Sequence, residues 1–132
     1  MPSAADREAT LVHLSDVHVF SASSLRPRFL LDKRLIGGLN ALLRRGGIHD
    51  FEVTRVALDT VARLQPDLLV ITGDITTLGA EAELRRFRRA LDELPLATEQ
   101  IVVLPGNHDA YVPAVVRNRL FERVFEPYLV PD

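Results

Sequence analysis

Apolar positions along this chain of 132 residues follow two rhythms. Short unbroken runs recur at TLVHL (10–14), DLLVIT (67–72) and IVVL (101–104). Runs of that length, rich in Val, Ile and Leu, predict strands buried on both faces. Between them the spacing turns helical. KRLIGGLNALLRR (33–45) sets Leu35, Ile36, Leu39, Leu42 and Leu43 near one face, with Gly46 and Gly47 as a stop. Gly37 and Gly38 weaken that helix from inside. DFEVTRVALDTVARL (50–64) carries a stripe of Val53, Val56, Ala57, Thr60, Val61 and Leu64. Pro66 ends it, because the residue before a proline resists the helical conformation. AEAELRRFRRALDEL (80–94) turns Leu84, Phe87 and Leu91 inward, and the tail is helical around VVRNRLFERVFEPY until Pro131.

Strands alternating with helices of this length predict βαβ units and a mostly parallel sheet, an α/β fold in one domain over residues 1–132. A hydrophobic share of 47% supports a real core. The net charge of -2 argues against a dominant nucleic-acid or membrane role. With no cysteine there is no disulfide framework and no thiolate metal site, which fits a cytoplasmic protein. MPSAADREAT has acids and no apolar stretch, so no secretory leader is expected. LLVI (68–71) is far too short to span a bilayer.

Each of the three strand-like runs ends in polar residues: Ser15-Asp16-Val17-His18, then Gly73-Asp74, then Pro105-Gly106-Asn107-His108-Asp109. Parallel neighbours end on one side, and sites in open α/β sheets form beyond the carboxyl ends of strands. Asp16 and His18 stand two apart, so in extended chain they point the same way. Carboxylate oxygen with imidazole nitrogen suits Mn, Fe or Zn. Gly73 lets the backbone approach a ligand closely, and a carboxylate at Asp74 can bridge two cations. Asn107 offers a neutral amide oxygen. His108, its chain neighbour, projects differently and can reach a substrate as an acid or charge stabiliser. Taken singly, Asp-x-His and Gly-Asp read better as polar turns than as ligands, and G-N-H-D alone is evenly balanced. Their shared position after three strands favours the site.

Other polar residues read as structure. His13 lies within the first strand, as a core histidine or one supporting a ligand rather than a ligand itself. His49 suits a cap or solvent, and Asp50 a helix N-cap. Arg85, Arg86, Arg88 and Arg89, interleaved with Glu81, Glu83, Asp92 and Glu93, form a solvated helix face. The basic stretch from Arg26 to Arg45 has the apolar residues of a helix facing a core, with contact to a membrane or phosphate-rich surface as the alternative. No G-x-x-x-x-G-K-[ST] loop is present.

D-x-H, G-D and G-N-H-D in this order resemble the calcineurin-like metallophosphoesterases, and KRLIGGLN with GNHDAYV is similar to a bacterial branch of that family. The resemblance runs from about Thr10 to the end. It implies a sandwich of two sheets flanked by helices, in layers α/β/β/α. It also implies a phosphomonoesterase or phosphodiesterase with two divalent metal ions (Mn, Fe or Zn, with Mn the ion expected to serve in vitro) and a metal-bound hydroxide. Asp16 and His18 would bind one metal, Asp74 would bridge, and Asn107 would bind the second. His108 would act on the leaving oxygen, with Asp109 orienting it, and a phosphate ester would be the substrate. The family pattern continues with further histidines, yet the four here are His13, His18, His49 and His108. The chain is therefore expected to be an amino-terminal portion, with an apolar sheet face left open to self-association. The alternative is a catalytically incompetent module of the same fold that binds metal or a partner.

Overall fold

The computed structural model describes residues 8–20, 51–110 and 116–130. The expected helix over 33–45, the KRLIGGLN segment, His49, Asp50 and the basic stretch from Arg26 to Arg45 lie outside them. Strands β1 (Leu11–Ser15), β2 (Leu68–Thr72) and β3 (Ile101–Leu104) form a parallel sheet in the order β1-β2-β3. Each falls within a residue of its apolar run. Gln65 ends the preceding helix in a left-handed conformation, its N–H donating back to the Val61 carbonyl at 3.1 Å. The chain then enters β2 through Asp67, whose carboxylate accepts the Thr10 N–H at 2.9 Å and ties the start of β2 to that of β1.

The register divides the sheet into two unlike faces. Val12, Leu69 and Ile101 lie side by side, as do Leu14, Ile71 and Val103. They merge with residues of all three described helices into one core. The opposite face carries Leu11, His13, Ser15, Val70, Thr72, Val102 and Leu104, and among the described residues no element covers it. Leu11 is 60% exposed and Leu104 43%. Burial on both faces, expected from the unbroken apolar runs, is therefore corrected for the described residues: β1 and β2 alternate because the described helices stack on one side. His13 belongs to the open face. It is exposed, not a core residue, with Nε2 at 2.7 Å from Thr72 Oγ1. The described residues supply one helical layer and one sheet of the expected four-layer sandwich.

Helix α1 (Phe51–Leu64) buries Thr54, Leu58 and Val61, an i, i+4, i+7 set. Of the expected stripe, Val61 is inside, while Val53, Val56 and Leu64 are exposed. The helix has more apolar residues than one face can hold, and Leu58 fixes which face turns inward.

Helix α2 (Glu81–Asp92) buries Leu84, Phe87 and Leu91 as its period requires. Each such side chain contributes about 1.5–3 kcal/mol by leaving water. Its polar face is not uniformly solvated. Glu83 is fully buried and accepts the Leu78 N–H at 2.9 Å and the Ala80 N–H at 3.4 Å, closing the first turn. Arg86 lies 4.0 Å over the Phe51 ring and donates to the Phe20 carbonyl at 3.1 Å. Arg88 reaches Asp92 and the Val124 carbonyl, both at 2.6 Å.

The tail breaks at Arg119, which is left-handed, before helix α3 (Leu120–Phe125) and a 3₁₀ turn (Glu126–Tyr128). Leu120, Phe121, Val124 and Phe125 close the core, and the Tyr128 hydroxyl donates to Asp92 at 2.6 Å. Burial and that hydrogen bond push the Tyr128 phenol up to about 12. Burial works against the Asp92 carboxylate, but hydrogen bonds from Tyr128 and Arg88 outweigh it and hold Asp92 below its ordinary range.

Candidate metal centre

The three strands hand over to three loops that stay paired. Asp16 N–H donates to the Gly73 carbonyl (3.3 Å), His18 N–H to that of Asp74 (2.9 Å), Val19 N–H to that of Ile75 (2.6 Å) and Gly73 N–H to that of Leu104 (3.0 Å). Val19 and Thr76 form a further parallel bridge beyond the strands. Side chains after β1, β2 and β3 are thereby held at one end of the sheet.

Closeness depends on glycine. Gly73 has φ +65°, and a Cβ there would stand 2.9 Å from Gly106 Cα. A Cβ at Gly106 would collide with the Asp74 backbone nitrogen and Oδ1. The missing side chain at Gly73 thus admits the neighbouring loop, where the sequence suggested a ligand. Asp16, His18 and Asp74 also have positive φ, at 55°, 49° and 48°. Asp and His tolerate this region better than most residues, and such strain of about 1–3 kcal/mol each gathers at functional sites.

His18, Asp74 and His108 each offer one ligand atom, all within 4.8 Å of one another. The imidazoles of His18 and His108 meet edge to face with centroids 5.4 Å apart. His18 Nδ1 lies 3.0 Å from the Asp16 carbonyl, and His108 Nδ1 lies 3.3 Å from the Thr77 carbonyl. A carbonyl only accepts, so in each ring Nδ1 carries the proton and Nε2 the lone pair that can bind a cation. Asp74 Oδ1 accepts the His108 backbone N–H at 3.0 Å.

Asn107 faces the Asp74 carboxylate. With its amide turned one way, Nδ2 donates to Oδ1 at 2.8 Å and Oδ2 at 3.1 Å. Turned the other way, three acceptor oxygens converge without a proton between them. A divalent cation satisfies that second arrangement, and with two imidazoles alongside, the donor set fits a borderline cation such as Mn, Fe or Zn.

The sequence-derived set is thus gathered in part. His18, Asp74 and Asn107 assemble, and His108 lies within the cluster although its chain position suggested a separate direction. Asp16 is exposed and outside the three-residue group. The i, i+2 argument assumed an extended chain, whereas left-handed turns at Asp16 and His18 break it. Asp109 does not meet the His108 ring. It is fully buried, its Oδ1 accepting from Thr76 N–H (2.8 Å) and Thr76 hydroxyl (2.9 Å), its Oδ2 from Ile75 N–H (3.1 Å) and Gly106 N–H (2.9 Å). It fastens the loop bearing Asp74 to the loop bearing His108. Sequence reading passed over Thr76 and Thr77, whose one signal was their place two and three residues after Asp74.

A cavity of about 280 Å³ opens beside this end of the sheet, lined by Leu14, Asp16, Val17, Val53, Leu58 and Phe87 among others. No described helix is long and apolar enough to cross a membrane.

Comparison with known proteins returns a family and a relative. The family model for the calcineurin-like phosphoesterases matches residues 9–131. The protein "Metallophosphoesterase 1" of Gallus gallus is 31% identical over 114 residues, a match covering 79% of this chain and 28% of that protein. The chain therefore spans a little over a quarter of the length of that relative.

Proposed function

Because the chain belongs to the calcineurin-like phosphoesterase family, we propose that it contributes the metal-binding loops of a hydrolase acting on phosphate esters. One observation carries this reading: imidazoles of His18 and His108, the Asp74 carboxylate and the Asn107 amide converge after three parallel strands. Residues 1–132 act within a single phosphoesterase domain of a cytoplasmic protein.

Two divalent cations would be held here, with Mn²⁺ the ion expected to serve in vitro. His18, Asp74 and Asn107 would hold them, with Asp16 as a further ligand. When bound, the ions neutralise charge on the phosphoryl oxygens and activate water. The chain's own groups do the remainder. Asp74 draws the ions with its negative charge and receives the His108 N–H, which sets the spacing between the two loops. His108, anchored at Nδ1 by the Thr77 carbonyl, presents Nε2 to the leaving oxygen and, in its doubly protonated form, passes the Nε2 proton to it. Asp109 acts at a distance, through the loops it joins. Phosphoryl transfer asks mainly for such positioning and charge neutralisation. The open face holding Leu11 and Leu104 mediates self-association, read by sedimentation of wild type against a Leu11→Lys, Leu104→Lys variant.

The test is hydrolysis of p-nitrophenyl phosphate and its bis-ester in Mn²⁺, alongside calorimetry. Metal-dependent turnover that disappears in Asp74→Ala supports the proposal. Tight Mn²⁺ binding with no turnover of either ester supports the alternative, a metal-binding module. No Mn²⁺ binding at all overturns both.

A further inference from the structure

We propose that Thr77 is a positioning residue that orients both imidazoles of the cluster at once. This rests on the metal-site reading above, and it concerns a residue without metal-ligating chemistry of its own. Thr77 uses three groups. Its N–H donates to the Val19 carbonyl at 3.1 Å, which aligns the loop after β2 with the loop after β1. Its hydroxyl donates to the His18 carbonyl at 3.0 Å. Its own carbonyl accepts His108 Nδ1 at 3.3 Å.

The hydroxyl bond matters because of what it restrains. His18 sits at φ 49°, a conformation that a free chain readily leaves. The His18 N–H is held by the Asp74 carbonyl at 2.9 Å, and Thr77 holds the other end of the residue. With both peptide groups fixed, the imidazole leaves the backbone in a set direction. That direction brings its ring edge to face with His108, at 5.4 Å. The second ring is in turn fixed by the Thr77 carbonyl, so two ligand-bearing loops take their orientation from one residue of a third. A side chain at position 77 must be small, half-buried and able to donate. Valine matches threonine in shape and lacks only the hydroxyl, and serine restores it.

Three variants test this: Thr77→Val, Thr77→Ser and, if Val fails to fold, Thr77→Ala. In the metal-free chain the nuclear Overhauser contact between the His18 and His108 rings is measured; calorimetry then gives the Mn²⁺ dissociation constant. Thr77→Val should lose the ring contact and weaken Mn²⁺ binding about tenfold, the lower end of what a lost supporting hydrogen bond costs a metal site. The His108 backbone-carbonyl bond and the thermal midpoint should stay near wild type, and Thr77→Ser should recover both readouts. Ring contact and affinity both preserved in Thr77→Val would overturn the proposal. So would a loss that serine does not repair. If wild type binds no Mn²⁺, the metal reading fails, and the ring contact alone decides the role of Thr77.

Discussion

Removing the Asp109 carboxylate should cost this protein much of its stability, and the size of the loss follows from its bonds. In Asp109→Ala, three backbone N–H groups, those of Ile75, Thr76 and Gly106, lose their acceptor, as does the Thr76 hydroxyl. A buried donor left unpaired costs about 1–3 kcal/mol, and a hydrogen bond to a charged acceptor is at the stronger end. The hydroxyl can rotate, and it already accepts the Gly79 N–H at 3.1 Å, so its loss is small. Gly106 is half-buried and water can reach it. That leaves Ile75 and Thr76 as the fully costly pair, and an expected loss of about 3–5 kcal/mol. Asp109→Asn keeps one oxygen and turns an NH₂ group on the other pair of donors, for about 2–3 kcal/mol. Urea unfolding followed by circular dichroism measures both, and an unchanged slope keeps the comparison valid. A loss under about 1 kcal/mol in Asp109→Ala would refute the reasoning, since it would mean those N–H groups find other partners.

Gly106→Ala should abolish Mn²⁺ binding while leaving helical content nearly intact, because the added Cβ strikes the Asp74 backbone and carboxylate and not the core; calorimetry with circular dichroism reads both. If the site binds Mn²⁺, ligand at a hundred times its dissociation constant should stabilise wild type by about 2.7 kcal/mol, and EDTA should remove that gain, whereas Asp74→Asn should show little of either in thermal melts. Tyr128 has a phenol raised from 10.0 to about 12, so its contribution is complete below pH 10 and fades as pH climbs through about 12; denaturation between pH 9 and 12 should show a steeper decline in wild type than in Tyr128→Phe. Asp92 is shifted the other way, so its contribution holds above pH 3.8 and falls away under acid; Asp92→Asn should flatten the acid limb of the same curve.

The strands were legible because nothing competes with an unbroken run such as LLVIT, and the parallel order followed from the intervening helices. Their shared carboxyl end then predicted a site, and His18, Asp74 and Asn107 do gather there. What the sequence concealed lies in backbone geometry. Asp16 and His18 are two apart on paper, but both are left-handed, so the extended chain that the spacing argument needs is absent there. Helix α1 has apolar residues around much of its girth, so periodicity alone could not choose Leu58 and Thr54 over Val53 and Val56. Glu83 reads as one acid among a charged series, and its return to Leu78 and Ala80 N–H, which supports its burial, does not show in that series. Asp109 reads as a partner of its neighbour, while the Ile75 and Thr76 groups it holds lie far upstream in the chain.

The left-handed turns at Asp16, His18 and Asp74 narrow what these loops can become. Aspartate, asparagine and histidine are both the non-glycine residues at ease in that twist and good donors to a borderline ion. Changing metal preference by installing glutamate or cysteine would therefore fight the main chain before it touched coordination. A redesign that keeps to the three tolerated residue types can vary charge, nitrogen count and hardness while the loops keep their shape.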